Sequence, residues 1–586
     1  MSSSKYFDAV TAAAVALAVI FSFVFLGVSG NTQTAQAMSS SVNMPYEELF
    51  DQFEVMEIEI SIDNDDWQAM LDDPLLEEYK QCDVTVNGTE YTDAAIRTKG
   101  NTSLSQVASS SSDRYSFKIE FDHYDKNKSL AGLDKLVLNN LFSDATYVKE
   151  YIAYDIFHYM GVETPYYAFA NITVNGENFG CYLALEAMED SFLERAYHGS
   201  GQLYKPESDM GSGMQHGKSQ QMEEMPRMQQ RGGQPQVEEP PQMPEMGEMP
   251  EGMEFPENMR FPEDVEFSED MEFPGGMGFS EDMEFPEGKG MEMPKMEKMS
   301  ENMEFFGDRD SRSGMGESGG GGSDLVYTDD DIDSYSDIFE NASFDPSDAD
   351  KMRVITALEK LGAGQELESY IDVDACLRYF AAQTFIVNMD SYYSNLKHNY
   401  YLYENNGQLT ILPWDLNLAF GGFQNADADE AVNSAIDTPM GGRLEASRPL
   451  FSKLMEVPEY KTLYHEYLNE ITEGYVNSGQ FTNTLSEIIA RISPYVSEDP
   501  TAFYSYSEYE EAVETLKAFV LLRAESVSKQ LEGDIPSVSS ERTKSTVLVD
   551  ASSINLKAMG MQGGDGAGGK GSREGNMFGR HDIGKE

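Results

Sequence analysis

Alternating apolar and polar positions characterise the first part of the chain. Residues 54–62 read EVMEIEISI, where every second side chain from Met56 onward is apolar, as in a strand with one buried face. Similar strand-forming stretches occupy residues 81–100, 115–122, 135–140 and 166–186. Asn-Gly pairs at 87–88 and 175–176 interrupt two of these stretches, and such pairs favour two-residue hairpin turns. The pattern therefore predicts a strand-rich N-terminal region.

Helical periodicity replaces this alternation in the second half of the chain. An early helix is predicted over 144–161, with Asp144 as its N-cap and Gly161 as its end. Further helices are predicted over 347–362, 372–387, 448–474, 479–494 and 506–531. Only 398–414 favours a hairpin there, with Asn406-Gly407 at its tip. The fold class predicted is α+β, a two-lobed enzyme with a strand-rich N-lobe and a helical C-lobe.

Composition divides the chain into six predicted parts. They are a signal peptide or membrane anchor (1–37), a linker (38–52), the N-lobe (53–205), an insertion (206–323), the C-lobe with its hairpin (324–535) and a flexible Gly-rich tail (536–586). The insertion holds more than half of the 33 methionines, with frequent Glu, Pro and Gly. Such a composition buries too little apolar surface to offset chain entropy, which predicts disorder.

The first residues form a predicted export signal. Residues 9–28 are almost wholly apolar and long enough to span a bilayer as a helix, and AQA at 35–37 matches a signal-peptidase site. Cleavage near Ala37 and membrane anchoring through residues 9–28 are both consistent with this pattern. The chain is expected to be exported in either case.

Charge restricts the class of partner. The chain has 103 acidic and 41 basic residues and a net charge of −62, which argues against nucleic-acid binding and favours cations or basic partners. Cys82, Cys181 and Cys376 show neither a metal-binding nor a redox spacing. An acidic calcium-binding surface protein is a weaker alternative, since no EF-hand spacing occurs.

Two carboxylates flank the predicted hairpin of the C-lobe. Asp390 is followed five residues later by Asn395, and Asp415 comes directly after the second strand. Protein kinases place a catalytic acid, a metal-binding Asn, a hairpin and a metal-binding acid in this order. The arrangement predicts a phosphoryl-transfer site, although each acid taken alone is more typical of a cap or turn.

The N-lobe supplies candidate phosphate-binding groups. Arg97, Lys99 and Gly100 lie in IRTKGNTSL, where cationic side chains and backbone amides approach phosphates. Lys118 in YSFKIEFD is predicted to point between the lobes and to pair with Glu150 on the following helix. Either residue alone is more often a solvated surface charge, so the prediction depends on the order of the whole set.

Several segments also resemble a known family. They are RTKGNTSL, YSFKIEFD, LVLNN, VNGENFGCYLALE, GQLYK and HNYYLYENNGQLTILPWDLNLAFGG. Across about residues 50–205 and 324–535 the chain resembles the spore coat protein H (CotH) family of atypical, secretory-pathway-like protein kinases. The resemblance implies a divergent kinase fold, ATP and Mg²⁺ (or Mn²⁺) as cofactors, and phosphate transfer to Ser or Thr of spore coat or cell-surface proteins. The net charge favours basic, Ser-rich acceptors.

The resemblance also implies residue roles. Asp390 corresponds to the acid that accepts the acceptor's proton, and Asp415 to the metal-binding acid. Lys118 and Glu150 correspond to the phosphate lysine and its partner, and Trp414 flanks the nucleotide.

Two positions leave alternatives open. The metal-side Asn is either Asn395, by spacing, or Asn399, directly before the strand. Asn417 stands where the family usually has a second acid. That departure favours an alternative function, a non-catalytic structural coat or surface protein that uses a kinase-like scaffold for interactions.

Overall fold

The structure, a computed structural model, describes residues 44–51, 54–208, 321–423 and 427–560. They belong to one of two compact units, and the other unit, 218–316, lies outside the described residues. The predicted export signal and most of the predicted insertion lie outside them as well. In the described ranges no helix is both long and apolar enough to cross a membrane.

In the residues that the structure describes, ten strands form a barrel and a small sheet. They are β1 (Met56–Ile62), β2 (Lys80–Val86), β3 (Thr89–Lys99), β4 (Ser116–Glu120), β5 (Lys135–Asn139), β6 (Tyr167–Val174), β7 (Glu177–Glu186), β8 (Gln202–Tyr204), β9 (Tyr400–Asn405) and β10 (Gln408–Pro413). The first seven close a barrel in the order β1-β2-β3-β4-β5-β7-β6, with β1 and β6 parallel. Strands β8, β9 and β10 form the second sheet.

The strand prediction is confirmed, and the strands follow from the alternation of apolar residues and from the turn residues between them. Alternate residues such as Ile58, Ile96 and Phe117 fill the barrel interior. Both residues of the Asn87-Gly88, Asn175-Gly176 and Asn406-Gly407 turns have positive φ angles, as two-residue hairpin turns require.

Helices dominate the second half. The helices are α1 (Asn64–Asp72), α2 (Thr102–Ala108), α3 (Lys149–Tyr159), α4 (Asp190–Tyr197), α5 (Ser336–Phe339), α6 (Asp348–Ala363), α7 (Leu367–Tyr370), α8 (Val373–Phe385), α9 (Ala428–Val432), α10 (Pro449–Met455), α11 (Pro458–Asn469), α12 (Gln480–Ser497) and α13 (Tyr506–Glu532). The α+β prediction, with strands first and helices second, is therefore confirmed.

Helix α3 connects the barrel to the helical half. Its Tyr151 ring stacks on Phe169 of β6 at 5.1 Å between centroids, and its Phe157 contacts Tyr379 of α8 at 5.4 Å. One hydrophobic core therefore extends from the outer face of the barrel into the helices. The helix begins at Lys149, later than predicted, and the Asp144 carboxylate accepts a hydrogen bond from the Lys149 N–H at 3.0 Å.

The predicted helix 448–474 is wrong as a single element. It divides into α10 and α11 at Pro458, and a π-helix, Glu470–Asn477, follows α11. Proline fits the first turn of a helix but lacks the N–H that a helix interior needs, so Pro458 starts a new helix.

The C-terminal segment 536–560 corrects the prediction of a flexible tail. Its Val549, Leu556 and Met559 are buried. The Ala145 N–H donates to the Met559 carbonyl at 3.1 Å, and Lys149 Nζ donates to the Gly560 carbonyl at 3.1 Å. This segment therefore packs against the N-terminal end of α3.

The ends of the predicted insertion also belong to the folded body. Ser208 Oγ donates to the Leu396 carbonyl at 2.8 Å, and the Ser323 side chain is buried and donates to Asp337 at 2.9 Å. Ser208 and Ser323, described residues on either side of 209–320, therefore both lie near residues 396–400, since Tyr400 donates to the Ser323 carbonyl at 2.7 Å.

Candidate active site

The barrel strands contribute a lysine and an amide, helix α3 contributes a buried carboxylate, and hydrogen bonds join the three in that order. Lys99 is the last residue of β3, and its Nζ donates to Asn139 Oδ1 at 3.0 Å. Asn139, the last residue of β5, donates from Nδ2 to the Glu150 carboxylate at 3.0 and 3.2 Å. Glu150 lies in the first turn of α3 and is completely buried. The strands thus hold a cation beside a buried acid.

The charge of Asp415 acts on both Lys99 and Glu150. Burial, and then the nearby Asp415 carboxylate, raise the pKa of Glu150 to about 8, against the effects of Asn139 and Lys99. Burial lowers the pKa of Lys99, against the attraction of Asp415 and Glu150. Glu150 and Asp415 therefore both attract the half-buried ammonium group of Lys99.

The hairpin places Asp415 two residues after the end of β10. Its φ angle is +55°, an uncommon backbone conformation for a residue with a side chain. Burial raises the pKa of Asp415, Lys99 lowers it, and the neighbouring Asp390 raises it again. The preceding Trp414 ring lies against Tyr401 at 5.6 Å, and Lys99 Nζ lies 5.8 Å from its centroid.

Asp390 is held by two side chains that follow it in sequence. His398 Nε2 lies 2.7 Å from Asp390 Oδ1, and Asn399 Nδ2 donates to Oδ2 at 3.0 Å. Asn399 therefore lies at the site, in a left-handed backbone conformation. Asn395, the alternative by spacing, has an exposed side chain.

The predicted pair of Lys118 and Glu150 is not formed. Lys118 Nζ lies 2.5 Å from Glu189 Oε1, and Glu189 also contacts Lys135. The cause is the register of β4 against β3. Lys118 of β4 lies opposite Arg97 of β3, and Arg97 is two residues before Lys99. Two residues along a strand are about 6.6 Å, so Lys99 rather than Lys118 reaches the level of Glu150.

Two other predicted phosphate-binding residues behave differently. Arg97 forms an ion pair with Glu77, and its guanidinium lies 5.3 Å from the Tyr79 ring centroid. Arg97 is therefore already paired. Gly100 has φ +128°, and a Cβ there would lie 3.1 Å from Ser103 Oγ, so only glycine allows this close approach of the backbone to α2.

Sequence reasoning missed Asn139, His398 and Lys205. Asn139 is a buried polar residue directly after the buried apolar residues 136–138 of β5, and that polar residue is the available signal. His398 directly precedes Asn399 in sequence. Lys205 follows β8, and its charge lowers the pKa of Asp415 and of Lys99 after the larger effects named above.

The acids of the site do not form a complete metal cage by themselves. Within the part of the chain that the structure describes, no three His, Cys, Asp or Glu side chains are arranged to hold a metal ion. Asp415 and Asn399 would supply two oxygen ligands. Mg²⁺ commonly binds to one or two protein ligands and completes its shell with water and phosphate oxygens, so this donor set fits that ion.

Comparison with known proteins matches the parts of the chain that contain this site. The family model described as CotH kinase protein matches residues 96–239 and 318–527. Inner spore coat protein H of Bacillus subtilis (strain 168) is 22% identical over 148 residues. That alignment covers 25% of this chain and 38% of the relative. Lys99, Glu150, Asp390 and Asp415 all lie in the ranges that the family model matches.

Proposed function

The chain belongs to the CotH kinase family, and from this premise we propose that it is an ATP-dependent protein kinase acting on Ser, or Thr, of other proteins. In this proposal the fold is a divergent two-lobed kinase fold, with the barrel as N-lobe and the helical half as C-lobe. The observation that carries it is the convergence of Lys99 and Glu150 from the barrel side with Asp415 from the helical side.

The charge distribution supports nucleotide binding at this site. The whole chain has a net charge of −62, yet two cations lie near Asp415, since Lys99 and Lys205 both lower its pKa. We assign Lys99 to the nucleotide phosphates, a role that the sequence pattern predicts for Lys118. Trp414 provides an aromatic side chain beside Lys99, and Gly100, the next residue after Lys99, lies close to α2.

The metal assignment rests on unbalanced negative charge. Asp415 has a raised pKa because burial and Asp390 disfavour its ionised form, and a divalent cation would relieve that repulsion. When bound, Mg²⁺ or Mn²⁺ would neutralise charge that develops on the transferred phosphoryl group. Asp415 and Asn399 are the residues that we propose to hold it.

The chain's own residues then divide the remaining work. Lys99 orients the ATP phosphates, and Glu150 with Asn139 orients Lys99. The oxygen of the acceptor hydroxyl forms a bond to the γ-phosphorus, while the bond between that phosphorus and the oxygen that stays with ADP breaks. Asp390 accepts the proton that the hydroxyl loses. His398 and Asn399 hold the Asp390 carboxylate, which fixes the direction in which it accepts that proton.

The acceptor is proposed from charge and from the relative. A basic, Ser-rich protein suits the acidic chain, and the named relative is an inner spore coat protein. We therefore propose a spore coat or cell-surface location, reached through the export signal at residues 9–28. Coat or surface proteins would be the substrates.

One observation favours the non-catalytic alternative. Asn417 Nδ2 donates to the Phe142 carbonyl at 3.2 Å, so this residue serves a structural contact where the family usually has a second acid. A scaffold without transfer activity would bind nucleotide and leave acceptors unmodified.

Labelled phosphate transfer separates the two functions. Purified chain is incubated with γ-labelled ATP, Mg²⁺ or Mn²⁺ and a synthetic basic, serine-rich peptide. We expect labelled phosphoserine with the wild type and near-complete loss in Asp415→Ala, because the metal loses its charged ligand. Asp534→Ala, at an exposed position after α13, is the matched control and should retain activity. Nucleotide binding with no label on the peptide would contradict the enzyme.

A further inference from the structure

An amide stands between the lysine and the glutamate of the site. In the described part of the chain, no ion pair joins Lys99 directly to Glu150, and Asn139 contacts both instead. We call Lys99, Asn139 and Glu150 the relay cluster. The orientation of the amide follows from chemistry, because an ammonium only donates, so Oδ1 must face Lys99 and Nδ2 must face Glu150.

We propose that Asn139 is a positioning residue that couples Lys99 to Glu150 and keeps the lysine ammonium out of direct contact with a carboxylate, so that an anionic ligand can contact it. The proposal rests on the proposed function, since the anion in question is the phosphate chain of ATP. Asn139 itself is not assigned a contact with the nucleotide.

The placement of Asn139 suits this role. It is a buried residue on β5, a strand bonded on both sides, so its side chain has little freedom. Its three hydrogen bonds use both the carbonyl and the amino group. Movement of α3, which carries Glu150, would therefore change the direction in which Lys99 points.

The neutral amide matters as much as its geometry. A carboxylate in direct contact with Lys99 would balance the ammonium charge, as Glu189 does for Lys118. Asn139 orients Lys99 without adding a negative charge. The remaining positive charge is then available to phosphate oxygens, which is where a kinase lysine acts.

Two substitutions separate the relay from simple structural support. Asn139→Leu keeps the branched shape of the side chain and removes all three hydrogen bonds. Asn139→Asp keeps the acceptor for Lys99, adds a charge beside it and removes the donor to Glu150. If the relay is correct, both variants raise the KM for ATP about tenfold to hundredfold, with a smaller change in kcat. A wild-type KM in Asn139→Asp would overturn the proposal, since an acceptor alone would then suffice.

A double-mutant cycle with Glu150→Gln gives a second readout. Residues that act as one unit have non-additive effects, so Glu150→Gln should change the KM much less in the Asn139→Leu background than in the wild type. Additive effects would overturn the coupling. This result does not depend on whether either variant loses some stability, provided that circular dichroism shows a folded chain; if Asn139→Leu does not fold, the same cycle with Asn139→Asp decides.

A matched control and a wild-type measurement complete the test. Asn171 on β6 also donates to a glutamate, Glu57, at 3.0 Å, but on an exposed part of the barrel. Asn171→Leu should leave the KM for ATP unchanged. ATP binding by the wild type is measured by calorimetry with Mg²⁺. Absence of both binding and transfer there refutes the proposed function, whereas a normal wild type with unaffected Asn139 variants refutes only the relay.

Discussion

Two lysine clusters lie on the same outward face of the barrel and differ in how their charges are balanced. In the ion-pair cluster, Lys118 and Lys135 share the Glu189 carboxylate. In the relay cluster, an amide separates Lys99 from Glu150. Residue types are similar, and Lys99 and Lys118 are on adjacent strands.

The two glutamates show what this difference does. Burial raises the pKa of Glu189, but Lys118 and Lys135 outweigh it, so the pKa ends below its ordinary value. Burial and Asp415 raise the pKa of Glu150 to about 8. A lysine that is already neutralised by a carboxylate is a structural cation, whereas one held by an amide can still bind an anion.

The largest expected effect contrasts the two lysines directly. Lys99→Ala should lower kcat/KM for ATP about 10²- to 10³-fold, because the phosphates lose a preorganised cation. Lys118→Ala should lower kcat/KM for ATP less than about tenfold, because the Lys118 ammonium is already paired with the Glu189 carboxylate. Steady-state phosphate transfer to the serine-rich peptide, with ATP varied, measures both values.

The reverse order of effects would remove the basis of this comparison. If Lys118→Ala caused the larger loss, the assignment made from sequence would be correct and Glu189 would have to release Lys118 when ATP binds. Thermal unfolding of both variants serves as the control, since a loss of folded protein would mimic a loss of activity.

A second prediction asks what holds the relay cluster in place. Leu556 is buried in the C-terminal segment that packs on α13 and reaches the start of α3. Leu556→Ala should lower the free energy of unfolding by about 2–4 kcal/mol, measured by urea denaturation. Val547, in the same segment, is 84% exposed, and Val547→Ala should change it by less than about 0.5 kcal/mol.

Equal effects of the two substitutions would show that this segment does not support α3. The loss in Leu556→Ala should also be accompanied by a raised KM for ATP, because the N-terminal turn of α3 carries Glu150. The ion-pair cluster has a different support: Ser191 of α4 donates to Asp134, beside Lys135.

Local patterns were sufficient to predict most of the fold. The strands follow from alternation, and the three Asn-Gly turns follow from the backbone angles that those residues tolerate. Asp390 and Asp415 were predicted together because a hairpin of fixed length separates them in sequence. These features depend on neighbours in the chain, which the sequence displays.

The missed features depend on neighbours in space. The choice between Lys99 and Lys118 is set by the register of β3 against β4 and by the position of α3, and neither is visible in one sequence. The C-terminal segment was assigned to a flexible tail because Gly-rich residues follow it. Its apolar residues lack a regular period, so only the surface that receives them identifies them as core.

The smallest expected effect concerns the pH dependence of the ion-pair cluster. The pKa of Glu189 is lower in the folded chain than its usual 4.5, so its ionised form stabilises the fold above that pH. This contribution disappears as the pH falls through the lower, folded value. Glu189→Gln should therefore reduce the free energy of unfolding by about 1 kcal/mol at neutral pH and approach the wild type in acid. Exposed Glu194→Gln is the control, and a Glu189→Gln loss that persists in acid would mean that packing rather than charge distinguishes the two clusters.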